Sequence, residues 1–154
     1  MGVRARTAAD QNWIDALLKD RWGSALIVVH GATFDAGALP ALVAGDREGL
    51  ATYDPARGEL VTLDALSLRR GIGTALVEAL AGVLRTEGHA ALRVTTTNDN
   101  LDALRFYQRR GFRICAVRRG AVDAARKLKP TIPILGAYRI PLHDEIELER
   151  ALSE

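Results

Sequence analysis

The spacing of hydrophobic residues in the first part of the chain predicts a short strand, a helix and then several short strands. Apolar residues recur at helical spacing over residues 13–18, between a capping signal formed by Thr7 and Asp10 and the glycine at position 23. Turns rich in Gly, Asp and Pro separate the extended segments that follow. These segments are residues 25–30, 41–44, 49–53 and 60–66. Their spacing predicts an antiparallel meander, with residues 32–39 in a loop.

The remainder of the chain predicts helices that alternate with strands. The strongest amphipathic pattern covers residues 71–87. A second helix is predicted over residues 100–110, closed by Gly111, and a third over residues 121–128. The predicted strands are residues 90–96, 112–117 and 145–152. A strand-rich start followed by alternating strands and helices predicts a mixed α/β fold.

Composition and charge exclude several classes of protein. The 154 residues fit a single domain, residues 1–154, and the net charge of +2 comes from interleaved acids and bases, so we do not expect nucleic acid as a partner. The longest aliphatic run, residues 25–29, is too short to span a membrane, and the N-terminus lacks the apolar stretch of a secretory signal. Cys115 alone can form neither an internal disulfide nor an all-cysteine metal site. We therefore expect a cytoplasmic protein with no metal and no membrane association.

A basic, glycine-containing segment joins a predicted strand to the strongest predicted helix, at residues 63–76. Gly71 and Gly73 leave the backbone open to a ligand, and the first-turn amides of the helix have no intrahelical acceptor. Free amides at the positive end of a helix bind anions, and Arg69 and Arg70 would add charge-assisted contacts. The segment is therefore a candidate phosphate site.

Two known phosphate motifs are excluded here. A P-loop requires a lysine, which the segment lacks. A dinucleotide fingerprint requires Gly or Ala at the position that Leu76 occupies. A glycine turn that only joins strand to helix remains as the alternative to an anion site.

Residues 95–112 closely resemble the signature of the GCN5-related N-acetyltransferase (GNAT) superfamily. The resemblance rests on Asn100, Ala103 and Tyr107 at the spacing of that family, followed by its Gly-Phe pair. About 30 residues upstream, the loop that ends in Gly73 resembles the acyl-CoA pyrophosphate loop of the same family, Q/R-x-x-G-x-G/A. The two motifs stand in the order of the family, and the clear resemblance covers residues 59–112.

The resemblance implies a GNAT-like fold, in which helices flank a mostly antiparallel sheet and two parallel strands splay apart to bind acetyl-CoA. These strands would be residues 60–66 and 90–96. The implied cofactor-binding residues are Val61 and Leu63 through their backbone, Leu68, Arg69, Arg70, Gly71, Ile72, Gly73 and Thr74 in the loop, and Asn100, Ala103, Phe106 and Tyr107 on the second helix. Leu68 departs from the Gln or Arg of the family, so we expect weakened but not abolished binding.

The resemblance also implies direct transfer of the acetyl group from acetyl-CoA to a primary amine in a ternary complex. Glu59, four residues before Leu63, is the candidate general base, since a protonated amine cannot attack. The reserves for this role are Asp64, His30, His143 and Glu145. The alternative for Glu59 is a solvated residue at a turn.

Tyr107 matches the general acid of the family, which protonates the departing CoA thiolate. A backbone amide near Leu63 would stabilise the oxyanion. The alternative for Tyr107 is a core aromatic residue beside Phe106, and the alternative for Asn100 is a plain helix cap. Cys115 lies in an apolar segment with no histidine near it in sequence, so we expect a buried, unreactive thiol and no covalent acyl-enzyme.

The acceptor amine is expected to bind to the parts of the chain with the least diagnostic sequence. These are residues 13–22, 32–39 and 118–143. A small molecule and a protein terminus both remain open as acceptors, and so does a homodimer as the assembly. The alternative from another functional class is a non-catalytic module that binds acyl-CoA as a sensor.

Overall fold

Within residues 2–67 and 71–152, which the computed structural model describes, the chain forms four α-helices, three short 3-10 helices and nine strands. The helices are α1 (Gln11–Trp22), α2 (Ile72–Thr86), α3 (Leu101–Arg109) and α4 (Ala121–Ala125). The strands are β1 (Val3–Ala5), β2 (Leu26–Val29), β3 (Ala32–Asp35), β4 (Ala41–Ala44), β5 (Gly49–Asp54), β6 (Glu59–Ala65), β7 (Ala91–Thr97), β8 (Arg113–Arg118) and β9 (Glu145–Ala151). None of these helices is both long and apolar enough to cross a membrane.

Seven strands form one mixed sheet in the order β1-β4-β5-β6-β7-β9-β8. β6 and β7 are parallel, and the other neighbouring strands in this sheet are antiparallel. The predicted fold class, a mostly antiparallel sheet with a parallel pair and flanking helices, is confirmed. The two parallel strands pair only at two positions, where Glu59 faces Arg93 and Leu60 faces Val94. Beyond these positions the strands diverge, so their facing backbone groups need other partners.

The hydrophobic core is divided between the two faces of the sheet because successive strand residues point to opposite sides. One cluster packs α2 and α3 on one face, with fully buried Leu76 and Leu80 at its centre. The other packs α1 on the opposite face, with Ile14 and Leu18 buried against Val43. Both predicted amphipathic patterns are therefore confirmed as core-facing helices.

Local signals fix the ends of the helices that border the site. Gly71, with a φ of 87°, is the N-cap of α2. The side chain of Asn100 caps α3 by accepting a hydrogen bond from the backbone N–H of Ala103 at 3.1 Å. Gly111, with a φ of 88°, follows the end of α3. α4 is shorter than predicted and ends at Ala125.

The prediction for residues 25–39 was wrong in its pairing. β2 forms, but it pairs with β3 in a separate two-stranded hairpin and not with the meander, which begins at β4. β3 lies in the segment predicted as a loop. The hairpin turn has positive φ at both His30 (41°) and Gly31 (79°), as a type I′ turn requires. Histidine is not a residue that the sequence rules associate with such a turn.

The prediction that Cys115 is buried was also wrong. β8 forms at the edge of the sheet and pairs only with β9, so Cys115 is exposed, and Ile114 and Val117 are 48% and 63% exposed. Residual desolvation, with the nearby Glu147 carboxylate, raises the pKa of the Cys115 thiol. The thiol is therefore protonated at neutral pH.

Candidate active site

An open cleft of about 1070 Å³ lies where β6 and β7 diverge, and we call it the interstrand cleft. β6 contributes Val61 and Leu63 to its wall, β7 contributes Thr95 and Thr96, and α3 closes one side. The unpaired backbone of the diverging strands therefore borders a space large enough for an extended ligand.

The N-terminus of α2 forms one end of the interstrand cleft, which Gly71, Ile72 and Gly73 line. A Cβ atom on Gly73 would lie 3.1 Å from Cζ of Phe106, so glycine permits the close contact between α2 and α3. The amides of the first turn have no acceptor within the helix. This end of the cleft can therefore bind an anion through the backbone.

Most of the residues predicted to bind the cofactor line the interstrand cleft. They are Val61, Leu63, Gly71, Ile72, Gly73, Asn100, Ala103, Phe106 and Tyr107. Thr74 does not line the cleft, and its hydroxyl accepts a hydrogen bond from Nε of Arg110 at 2.7 Å. Leu68, Arg69 and Arg70 lie outside the described residues. Arg105, Arg109 and Arg110 add positive charge to the cleft wall.

Tyr107 is both a core aromatic residue and part of the cleft wall. Its ring packs edge-on against Phe106 and Phe112, with 5.2 Å between ring centroids in each case. The side chain is 6% exposed and lines the cleft. Burial, and secondarily the charge of Asp64, raises the pKa of Tyr107. The phenol therefore carries its proton at neutral pH.

Asp64 links β6 to the end of α1. Its carboxylate accepts a hydrogen bond from Nε1 of Trp22 at 2.9 Å. Burial raises the pKa of Asp64, against the opposing effects of the Trp22 hydrogen bond and the charge of Arg21. All three side chains line the interstrand cleft.

Glu59, the candidate general base, is 2% exposed and points at the hairpin turn. Its two carboxylate oxygens lie 2.8 and 3.0 Å from Nε2 of His30, and Nε of Arg57 lies 3.3 Å away. Neither Glu59 nor His30 lines the interstrand cleft or the cavity described next. The carboxylate is thus buried and paired, not solvated at a turn.

A second, smaller cavity of about 450 Å³ adjoins the cleft, and we call it the apolar cavity. Its walls are mainly aliphatic: Ile27, Val28 and Val29 of β2, Val122 and Ala125 of α4, and Ile132, Pro133 and Leu142 of the following segment. The two spaces share the wall residues Arg21, Trp22, Val61, Thr95, Thr96 and Asn100. A ligand in the apolar cavity therefore meets a ligand in the cleft.

Glu145 is the reserve carboxylate that lines the apolar cavity. It is 3% exposed, accepts hydrogen bonds from the backbone N–H of His30 at 3.0 and 3.2 Å, and pairs with Nε of Arg118 at 3.0 Å. His143 is exposed, pairs with Asp123 at 3.0 Å and lines neither space. Of the predicted acid–base groups, the cleft receives Tyr107 and Asp64, and the apolar cavity receives Glu145.

The segments predicted to bind the acceptor contribute unequally to the apolar cavity. Residues 118–143 supply several wall residues of the apolar cavity, but residues 13–22 supply only Arg21 and Trp22, and residues 32–39 supply none. The cavity wall contains β2 and not the segment predicted as a loop, because the β2–β3 hairpin places its first strand against the cavity. Lys129 also lines the cavity, and no pattern in the sequence marked it.

Comparison with known proteins agrees with the family that the sequence resembles. The model of the acetyltransferase (GNAT) family matches residues 49–112. The chain is 35% identical to the uncharacterized protein YxbD of Bacillus subtilis (strain 168), in an alignment that covers 99% of this chain and 99% of that protein. The chain belongs to the GNAT acetyltransferase family.

Solved structures agree on the fold. A GNAT family acetyltransferase from Elizabethkingia anophelis with acetyl-CoA bound is similar with a TM-score of 0.65, at 18% identity and over 97% of each chain. The ribosomal-protein-alanine N-acetyltransferase from Brucella melitensis is similar with a TM-score of 0.67, at 18% identity, over 98% of this chain and 99% of that one. Family and fold together support acyl transfer from acetyl-CoA. Within the two described ranges, no three His, Cys, Asp or Glu side chains are arranged to hold a metal ion.

Proposed function

We propose that the protein is an N-acetyltransferase that moves the acetyl group of acetyl-CoA directly to a primary amine. The observation that carries the proposal is the junction of the interstrand cleft with the apolar cavity, at Val61, Thr95 and Asn100. Two substrates bound on either side of this junction meet without a covalent enzyme intermediate. Cys115, the only cysteine, lines neither space.

The interstrand cleft fits acetyl-CoA through backbone groups and charge. The first-turn amides of α2 suit the diphosphate, and the unpaired edge of β6 near Val61 and Leu63 suits the amides of the pantetheine arm. The cleft-lining arginines suit the phosphate of the adenosine end. Since backbone amides carry most of this recognition, the departure at Leu68 is compatible with binding.

Transfer requires that the amine lose a proton and the thiolate gain one. The amine nitrogen bonds to the acetyl carbon, the carbon–sulfur bond breaks, a base takes the ammonium proton, and Tyr107 supplies a proton to the leaving sulfur. A tyrosine that is protonated and partly enclosed suits the acid role. A backbone amide of β6 near Leu63 is proposed as the donor to the oxyanion.

The proposed base is Glu59, and its contacts set the route that the proton must take. Because Glu59 is bonded to His30 and lines neither space, the proton reaches it through His30 or through water. Glu145 is the competing candidate, since it lines the apolar cavity itself. Both carboxylates are buried and both hydrogen-bond to His30. The activities of single variants at Glu59 and Glu145 can therefore show which of the two is the base.

The names of similar structures support the proposal that the acetyl group is transferred to a nitrogen atom. The Brucella melitensis protein is named as an N-acetyltransferase of ribosomal-protein alanine, and it shares the fold over nearly the full length of this chain. The apolar cavity is within the size range of small-molecule sites, which favours a small amine over a folded protein surface.

The test is a thiol-release assay with acetyl-CoA across a panel of primary amines. Wild-type protein is expected to release CoA with at least one amine, and Tyr107→Phe is expected to lower kcat by about 100-fold or more, since general acids contribute about 10²–10⁴. Tyr53→Phe is the matched control, because Tyr53 is equally buried but lines neither space. Wild-type turnover in Tyr107→Phe would refute the acid role. Binding of acetyl-CoA with no release on any amine would favour the sensor alternative.

A further inference from the structure

Lys129 is a buried cation with no carboxylate partner. It is 8% exposed, and within residues 2–67 and 71–152 no carboxylate lies within ion-pair distance of its ammonium group. Nζ donates to the backbone carbonyls of Trp22 at 2.9 Å and Leu26 at 2.6 Å. An ammonium has three N–H donors, so one remains without an acceptor among the described residues. Because Lys129 lines the apolar cavity, a ligand there can supply that acceptor.

A structural role accounts for part of the charge of Lys129. Its two hydrogen bonds satisfy the last carbonyl of α1 and a carbonyl of β2, and the negative end of α1 stabilises the ammonium. A buried ammonium without a carboxylate partner is nevertheless costly, and burial lowers the pKa of Lys129. An anionic ligand group in the cavity would remove this penalty, since it would pair with the charge in a region shielded from water.

Glu145 places the opposite charge in the wall of the apolar cavity. Its carboxylate pairs with Arg118 at 3.0 Å, but the same guanidinium also pairs with Glu147 at 2.6 Å, so Arg118 is shared between two carboxylates. Glu145 is therefore a carboxylate of the cavity wall that can also pair with a bound ammonium.

We propose, on the basis of the proposed function, that the acceptor is a small zwitterion: a primary amine that carries a carboxylate on an aliphatic or aromatic body, such as a hydrophobic amino acid. Lys129 binds the carboxylate, Glu145 binds the ammonium before it is deprotonated, and the aliphatic walls contact the body. Simple amines without the carboxylate leave Lys129 unpaired, and they are poorer ligands for that reason.

The test compares matched ligands that differ in the carboxylate alone. L-leucine, L-leucinamide and isopentylamine, together with L-phenylalanine and phenethylamine, are titrated calorimetrically into wild-type protein saturated with CoA. CoA provides no acetyl group, so this measurement reports binding and not turnover. We expect each amino acid to bind about 10- to 100-fold more tightly than its partner without the carboxylate, as a charge-assisted hydrogen bond implies.

The preference for the carboxylate should depend on Lys129. Lys129→Met is expected to reduce the ratio between L-leucine and isopentylamine to near one, while Lys129→Arg retains it in part. Lys127→Met is the control, because Lys127 is exposed and lines neither space. If Lys129→Met fails to fold, the wild-type ratios still decide the outcome.

Three results would overturn the inference. They are equal or tighter binding of the simple amines by wild-type protein, an unchanged ratio in folded Lys129→Met, and no binding of any of the five ligands. Failure of the proposed function gives a different result: the amino acids bind with the expected preference, but acetyl-CoA releases no CoA with them or with the wider amine panel.

Discussion

Replacement of Gly73 by alanine tests whether the first turn of α2 binds the diphosphate of CoA. The new Cβ would lie 3.1 Å from Cζ and 3.2 Å from Cε1 of Phe106, closer than the 3.4–4 Å of ordinary contact. The ring must therefore move by a few tenths of an ångström. The guanidinium of Arg110 already stacks on it, 3.8 Å from the ring centroid, and Arg110 is in turn bonded to Thr74 at 2.7 Å.

Two opposing effects keep the expected change in stability small. Overpacking costs about 1 kcal/mol at the lower end of its usual range. Alanine in place of glycine within a helix increases the free energy of unfolding by about 0.5–1 kcal/mol. The free energy of unfolding, measured by urea denaturation, should therefore stay within about 1 kcal/mol of wild type.

Binding should respond much more strongly than stability. The methyl group stands beside the free first-turn amides, and the displaced Phe106 ring lines the same cleft. Loss of one charge-assisted hydrogen bond costs about 1.5–3 kcal/mol, which corresponds to about 10- to 100-fold weaker CoA binding by calorimetry.

Gly82→Ala in the same helix is the control for Gly73→Ala. Apart from the glycine's own surroundings in α2, no atom of the described residues lies within 4 Å of a Cβ at Gly82, so this variant should gain about 0.5–1 kcal/mol of stability and bind CoA as wild type does. Wild-type CoA affinity in Gly73→Ala would refute the assignment of the α2 N-terminus as the diphosphate site.

Three further predictions concern acid–base chemistry. Glu59→Gln is expected to lower kcat by about 10²–10⁴-fold in the thiol-release assay; if Glu145→Gln shows that loss and Glu59→Gln does not, the base is Glu145. Because burial raises the pKa of Asp64, the folded state binds that proton more tightly than the unfolded state, so the free energy of unfolding should fall as pH rises from about 4 through the raised pKa. Asp64→Asn should lack this fall in urea titrations, and parallel curves for the two proteins would contradict the reasoning. Cys115→Ala should retain turnover, whereas loss of activity, with an acetylated thiol trapped in wild type, would point to a covalent route.

The sequence predicts the centre of the fold well because the signals there are local. Gly71, Asn100 and Gly111 each mark a helix end through their own backbone or side-chain preference, and all three lie at helix ends in the structure. The cofactor motifs are also contiguous, so they could be read residue by residue. Most of the resulting predictions line one cleft.

The apolar cavity, which we propose as the acceptor side, was predicted less well because it is assembled from distant segments. The sequence pattern of an apolar run such as residues 112–117 does not show whether the strand lies at the edge of a sheet or at its centre. The exposure of Cys115 was therefore not predicted. The β2–β3 turn depends on His30 with positive φ, which its contacts with Glu59 and Glu145 hold in place. Lys129 acquires its significance only from carbonyls more than 100 residues away in the chain.

The short pairing between β6 and β7 divides the sheet into two blocks. One block has four strands and ends at β6, the other has three and begins at β7, and the two strands pair at only two facing positions. A pantetheine chain bound in the gap, as we propose, would take the place of a missing strand, because its amides would pair with backbone groups that the two blocks leave unsatisfied. We therefore expect bound acetyl-CoA to raise the free energy of unfolding as well as to supply the acetyl group.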